Sequence, residues 1–305
     1  MIRNSKYISP YIKDNLRQMI IPIISKLAAE SLLSLYPIFV KKIGISLTLQ
    51  MWTRLISYVA ISAIFIDLDF IKSSLTSIDS LTLGLVNLSH IFFSYEGFRN
   101  LDSGVSFAIF NTYPLMILLL SGLKWNNAYF LMILGLAFFI YDNFSTKEAM
   151  DVDDKTPTEP TDPMNFTYGI TMIILAALTE AFIYFLVRRV KTDNHWNHVF
   201  ISYFLGAVFM TLYISNENQF SIAKIFKSLN TTRVGIATAL NGLIGSVGYF
   251  LRFFASYRLD AGIYSVLSYF GIIMSYIYGM AFNEEKLTWP KVAGTISIIG
   301  ANYFS

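Results

Sequence analysis

Apolar residues run along this chain in stretches of about twenty, separated by short polar segments. A run of that length matches the thickness of a bilayer core. Ten spans are predicted: Leu16–Val40, Gly44–Ile66, Leu81–Phe98, Gly104–Gly122, Asn127–Asp142, Tyr168–Val187, His198–Ile214, Gly235–Tyr257, Ala261–Phe282 and Pro290–Phe304. A backbone inside lipid has to satisfy its own hydrogen bonds, which leaves helices or closed barrels. The runs are continuously apolar rather than alternating, so helices are expected.

The longest interior polar segment is Ser145–Asn165, with Glu148, Asp151, Asp153, Asp154, Glu159 and Asp162 beside Pro157, Pro160 and Pro163. It reads as a flexible acidic linker. It predicts three units: residues 1–144 as a first set of five helices, 145–166 as the linker, and 167–305 as a second set of five. A second polar stretch, Ser215–Thr232, is shorter and mildly basic, and neither is large enough for a catalytic domain.

The two sets share short matches in order. Leu101-Asp102-Ser103-Gly104 opens the fourth span and Leu259-Asp260-Ala261-Gly262 the ninth; Gly135 corresponds to Gly294 and Asn143 to Asn302. Glu30 and Glu180 are a looser pair, each followed by aromatics and then a basic pair. An odd number of spans per set reverses the second against the first. The expected fold class is therefore all-α integral membrane, about ten transmembrane helices as two inverted five-helix repeats around a central site, as in many secondary transporters.

Composition sharpens the class. Of 305 residues, 54% are hydrophobic and 14% charged, against about 25% charged in a soluble domain. The net charge of +3 is mild and has no basic stripe interleaved with aromatics, so nucleic acid is not an expected partner. Cysteine is absent, which excludes disulfides, thiolate metal sites and cysteine catalysis. No Gly-rich phosphate loop with Lys is present, which argues against an ATP-driven pump in one chain. The start lacks a short apolar core with a small-residue cleavage site, so the first helix is expected to stay as an anchor.

Phe282-Asn283-Glu284-Glu285-Lys286-Leu287-Thr288, then Val292-Ala293-Gly294 and Ile299-Gly300-Ala301, resembles the closing signature of the drug/metabolite transporter superfamily, of the ten-helix EamA-like type. Ser106-Phe107-Ala108-Ile109-Phe110-Asn111-Thr112-Tyr113-Pro114-Leu115 is similar to the same family's fourth-helix pattern. The first set has Lys124-Trp125-Asn126 where the second has its Glu-containing loop, and the ninth span has no proline matching Pro114. The resemblance implies a carrier for small polar metabolites with a cavity between the two halves and no catalytic cofactor.

Ionisable residues inside spans are costly and each is a candidate site. Lys26 and Glu30 share one face of the first helix at i,i+4, as a polar cavity wall or as a self-neutralising pair. Arg54 lies between Trp52 and Tyr58, and Arg252 between Tyr249 and Phe254. Either can hold a carboxylate or phosphate beside a stacking ring, or pair near a helix end. His90 reads as a proton-coupling group or a packing residue. Glu180 has no basic residue near it in its own helix and reads as a proton site or a helix-to-helix hydrogen bond. Tyr113 precedes the kink expected at Pro114. Ser265, Ser268 and Tyr269 either line the cavity or bond to neighbours. Gly242, Gly245 and Gly248 form a stripe for close helix approach. His195 and His198 flank Trp196 and read as an interfacial anchor rather than a metal site. Asn165 and Asn230 begin glycosylation sequons.

These features predict a secondary transporter, not an enzyme, moving an amino acid or related zwitterion or anion by alternating access. The alternative is a nucleotide-sugar or sugar-phosphate exchanger; a membrane-embedded lipid enzyme and a non-transporting receptor rank lower. The substrate-binding or coupling set is Lys26, Glu30, Arg54, His90, Tyr113, Glu180, Tyr249, Arg252, Ser265 and Tyr269. Expected partners are a small-molecule substrate, the bilayer, and a proton or counter-substrate, with the protein a monomer or homodimer and no metal. Plasma and organelle membranes are both compatible with the chain.

Overall fold

The computed structural model describes residues 10–122, 127–151, 163–216 and 232–303. Fourteen helices occupy them and set the class as all-α: α1 (Pro10–Leu33), α2 (Tyr36–Lys42), α3 (Leu47–Ser62), α4 (Leu68–Ser74), α5 (Ile78–Asn100), α6 (Ser103–Phe110), α7 (Tyr113–Leu120), α8 (Asn127–Asp151), α9 (Pro163–Arg189), α10 (His195–Asn216), α11 (Thr232–Arg258), α12 (Ala261–Ser268), α13 (Phe270–Asn283) and α14 (Trp289–Tyr303).

Six stretches among the described residues are long and apolar enough to cross a membrane: Ile20–Lys42, Ser103–Leu120, Asn165–Arg189, His195–Asn216, Arg233–Arg258 and Ala261–Asn283. This corrects the expectation of about ten transmembrane helices as two inverted five-helix repeats. The other four expected spans are helical but fall short. α3 has 16 residues and α14 has 15, about 24 Å or less at ~1.5 Å per residue, against a core of about 30 Å. The apolar part of α8 is only Tyr129–Asp142. α5 has the length, at 23 residues, but carries Asp79, Asn87, His90, Glu96 and Arg99 along it. Two of the six qualifying stretches precede the acidic segment and four follow it, so the chain does not build two equal sets of five crossings. Large apolar side chains on many helices face outward, among them Phe130, Leu212, Val266 and Trp289. With six spans, that surface makes an integral multi-pass membrane protein, with the bilayer as its solvent.

Three qualifying stretches are broken where they pass through the protein. The first breaks between α1 and α2, where Pro37 has no N–H to give Leu33 and Ser34 Oγ turns back onto the Glu30 carbonyl at 2.7 Å. The second breaks between α6 and α7 at Asn111–Thr112, where Pro114 removes a donor and Asn111 Nδ2 bonds the Phe107 carbonyl at 2.8 Å. The third breaks at Tyr269 without a proline, on a tight turn in which Tyr269 N reaches Val266 O at 3.3 Å. Irregular backbone at this depth is tolerated where protein or a cavity surrounds it.

Packing pairs α5 with α9, α8 with α14 and α1 with α11, while α10 lies against α3 and α5. The α8–α14 approach is tight: a Cβ on Gly135 would sit 2.7 Å from the Gly294 carbonyl, so each glycine lets the other helix in. On one face Glu285 caps a foreign helix. Its carboxylate accepts from Ser103 N at 2.8 and 2.9 Å and Ser103 Oγ at 2.6 Å, at the start of α6, and Lys41 Nζ joins it at 3.0 Å. Burial would raise the Glu285 carboxyl, but Lys41 and the Ser103 donors outweigh it and hold it below the usual carboxylate range. Beside it Lys291 Nζ meets Asp102 at 2.7 Å and Asp142 at 3.7 Å, and Thr288 bonds Asp142.

On another face a histidine relay ties three helix ends. Arg258 donates to His195 Nε2 (2.6 Å), His195 Nδ1 lies 3.3 Å from His198 Nδ1, and His198 Nε2 lies 2.7 Å from the Val190 carbonyl. One neutral tautomer of each ring satisfies the whole chain. Both rings are buried, so the pair locks helix ends together rather than anchoring at an interface. Among the linker residues, Asp153, Asp154, Pro157, Glu159, Pro160 and Asp162 lie outside the described residues, as do Lys124-Trp125-Asn126, 217–231 and the Asn230 sequon.

Candidate functional site

Buried charges from α1, α9 and α11 meet at one place, with polar groups of α5, α7 and α12 around them. From α1, Lys26 Nζ donates to Glu30 Oε1 at 2.6 Å and to Tyr113 Oη at 3.0 Å. Tyr113 Oη continues to Ser268 Oγ at 2.6 Å, and Ser268 to the Tyr264 carbonyl at 2.8 Å. The ammonium also sits 3.6 Å above the Tyr264 ring. From α11, Arg252 bridges two carboxylates: Nη2 to Glu30 Oε1 and Oε2 at 2.9 and 3.1 Å, and Nη1 to Glu180 Oε1 at 2.7 Å. Glu180 has no basic neighbour in its own helix, so its partner comes from another. Lys26, Arg252, Glu30 and Glu180 form a charge-balanced square, each member 3% exposed or less.

His90 adjoins this square from α5. Its Nδ1 lies 3.1 Å from the Ala176 carbonyl, which only accepts, so Nδ1 carries a proton there. Nε2 then points a lone pair at Tyr249 Oη, 3.3 Å away, and at Glu180 Oε2, 3.5 Å away. Glu180 Oε2 accepts no hydrogen bond among the described residues.

Arg54 stands apart in kind. It is 1% exposed, yet it pairs with no carboxylate among the described residues. Five tyrosine rings surround its guanidinium: Tyr36 at 4.3 Å, Tyr58 at 5.3 Å, Tyr95 and Tyr249 at 5.4 Å and Tyr203 at 5.8 Å. Its Nη2 donates to Tyr203 Oη at 3.3 Å, and its Nε has no hydrogen-bond partner among the described residues. Gly245 of α11 closes the cage from one side, since a Cβ there would fall 1.6 Å from Tyr58 Oη and 2.0 Å from Tyr36 Oη. Its stripe partners Gly242 and Gly248 meet Ser57 and Leu33 in the same way.

A small cavity touches both groups. Arg54, His90, Tyr249 and Arg252 line it with Tyr36 and Phe107, and its volume is about 10 Å³, room for about one water. A larger cavity of about 250 Å³ opens at the Glu285 face, lined by Lys41, Arg99, Asp102, Asp142 and Lys291.

The structure thus joins Lys26, Glu30, His90, Tyr113, Glu180, Tyr249 and Arg252 in one connected group with Arg54 beside it. Ser265 and Tyr269 stay outside the network, and their buried hydroxyls have no hydrogen-bond partner among the described residues. Tyr36, Tyr203 and Tyr264 escaped the sequence reading. The available signal was the 19 tyrosines, several at matching depth in different spans. Among the described residues no three His, Asp or Glu are placed to hold a metal.

The model of the EamA-like transporter family matches residues 167–305. No curated protein matches the chain. A solved structure described only as "Crystal structure of protein" is similar over 94% of this chain and 96% of its own, with a TM-score of 0.55 and 13% identity. At that identity the likeness is one of fold. The family match supports a small-molecule membrane transporter rather than an enzyme, with the bilayer and a small-molecule substrate as its partners. Residues 167–305 are an EamA-like domain of the drug/metabolite transporter superfamily, within a multi-pass membrane protein.

Proposed function

We propose that the protein is a secondary transporter of carboxylate-bearing metabolites, amino acids first, moved by alternating exposure of the buried charged cluster. The observation that carries this reading is Arg54, a buried guanidinium without a carboxylate partner among the described residues. An uncompensated cation at this depth is costly, which is a reason to keep one only where a substrate anion neutralises it. A guanidinium takes a carboxylate through two parallel hydrogen bonds, and the tyrosine faces suit the apolar part of the same molecule.

A zwitterion also needs an acceptor for its ammonium. Glu180 Oε2 accepts no hydrogen bond among the described residues and lies 3.5 Å from His90, which lines the same cavity. That oxygen takes either a substrate ammonium or a proton shared with His90. A site that holds one or the other exchanges them, which couples substrate movement to a counter-moving proton. Lys26, Glu30, Tyr113, Tyr249 and Arg252 hold the frame around the two free groups, and Ser265 and Tyr269 are assigned to the substrate path. At about 10 Å³ the inner cavity is occluded, so loading requires the nearby helix breaks to shift.

The test is uptake of a radiolabelled panel of amino acids and sugar phosphates into proteoliposomes, with and without a pH gradient. Saturable amino-acid uptake that Arg54→Gln abolishes supports the reading. Uptake unchanged in that variant sinks it. The same guanidinium accommodates a phosphate, so counterflow restricted to sugar phosphates would move the assignment to the exchanger alternative.

A further inference from the structure

The cavity at the Glu285 face is far larger than the occluded one beneath it, about 250 Å³ against about 10 Å³. In this conformation it is the one of the two with room for a small metabolite. Its charges are not equivalent. Lys41 is held by Glu285 at 3.0 Å. Lys291 is held by Asp102 at 2.7 Å and the Lys286 carbonyl at 2.9 Å, with Asp142 at 3.7 Å. Arg99 is exposed, lines the cavity, and makes no ion pair with any described residue. Phe139, Phe166 and Val105 supply an apolar wall beside it. α5 joins the two cavities: Phe98 lines the inner one and Arg99, the next residue, the outer one.

We infer that this vestibule is a second, outer binding subsite for the carboxylate of an amino acid, with Arg99 as its anion contact, open to one membrane face only. It rests on the carboxylate reading of the inner site. Lys41 is neutralised by Glu285, and Lys291 by Asp102 with Asp142 as a further carboxylate, so Arg99 is the cation of the wall that holds no ion pair among the described residues. That charge collects the anionic end of a substrate, and the apolar wall takes its side chain. The inner Arg54 then receives the same group after the aromatic layer of Phe98, Phe107 and Phe110 moves.

The chain has no cysteine, so a single reporter thiol can be placed without background. Asn100→Cys puts it on the vestibule wall. The full-length protein in proteoliposomes is treated from each face with an anionic sulfonate and a cationic trimethylammonium thiol reagent. A unit charge about 6 Å away in water changes each rate by roughly threefold, in opposite senses. Arg99→Gln is therefore expected to lower the anionic-to-cationic rate ratio about tenfold, and Arg99→Lys to keep it. Millimolar L-amino acids should slow the sulfonate reaction in the Arg99 protein but not in Arg99→Gln. The inference is overturned by a ratio indifferent to Arg99, or by protection that survives Arg99→Gln. Protection without flux in the uptake panel keeps the vestibule and removes the transport reading; flux with no Arg99-dependent protection does the reverse.

Discussion

Arg54 and Arg252 are both arginines buried to about the same degree, and they should respond oppositely to neutral substitution. Arg252 holds Glu30 and Glu180 within 3.1 Å. Removing it leaves two buried carboxylates facing each other, with only Lys26 and His90 nearby. Breaking a buried pair this way costs about 3–5 kcal/mol, so Arg252→Met should sharply lower the melting temperature in detergent, and adding Glu180→Gln should recover part of the loss. Arg54→Met removes a cation that no carboxylate needs, so its melting temperature should stay at or above the wild-type value while transport is lost. Thermal melting followed by size-exclusion, set beside uptake, separates the two. Acidity gives a second residue-scale expectation. If Glu180 Oε2 takes a proton or a substrate ammonium, lowering pH on the loading side should raise the apparent KM without lowering the maximal rate, and Glu180→Gln should flatten that dependence. The individual charges of this site were legible in the sequence because an ionisable residue in an apolar run is conspicuous. Their pairing was not, since Glu30 and Arg252 are joined across 222 positions and nothing local says which helices face each other. The tyrosine cage was harder still, because tyrosine is common in membrane helices and only convergence of five rings gives it meaning.

At the scale of the helix, close approach and end-capping do the work that lipid cannot. Gly245 lets α11 meet the hydroxyls of Tyr36 and Tyr58, so Gly245→Ala should distort the cage and cut uptake at least tenfold. Gly44→Ala, with nothing within 4 Å of its added methyl, is the control and should transport normally. Glu285 offers a pH test of its own. Its folded carboxyl is held down relative to an unfolded value near 4.3. The stability it contributes is therefore fully present above that unfolded value and disappears as pH falls through the lower folded one. Hydrogen bonds to a charged group are worth about 1.5–3 kcal/mol, so Glu285→Gln should melt lower than wild type at pH 7. The gap should close below about pH 4. Equal melting curves at both pH values would deny the cap. The Phe282–Thr288 resemblance had pointed to this segment as a family mark; its physical use, capping α6 from across the molecule, is visible only in three dimensions. The proline breaks at Pro37 and Pro114 have a local cause a reader of sequence can see, whereas the break at Tyr269 has none.

For the molecule as a whole, helical class and membrane residence followed directly from long apolar runs, but the number of crossings did not. A run of apolar residues reports an apolar environment, and the interior of a helical bundle is as apolar as lipid. α3 is apolar because neighbours cover it, and both α3 and α14 are too short to span, while α5 is long enough but carries ionisable residues along its length. Counting apolar runs therefore overstates crossings, and the matched segments Asp102–Gly104 and Asp260–Gly262 do not restore two equal sets. What unites the molecule is the cluster itself, which neither side of the acidic segment completes. Lys26, Glu30, Arg54, His90 and Tyr113 come from before it, and Glu180, Tyr249, Arg252 and Ser268 from the EamA-like domain. That domain alone would carry Arg252 with one carboxylate instead of two and would have no Arg54. The segment 1–156 expressed alone would bury Arg54 and a Lys26–Glu30 pair with no Arg252. Neither piece should support saturable uptake. Expressed together as 1–156 and 157–305, they should associate through the Glu30–Arg252 bridge and recover transport, and Glu30→Gln in the first piece should weaken their co-purification. Uptake by residues 157–305 alone would show that the site is complete within the domain, and would remove Arg54 from the mechanism.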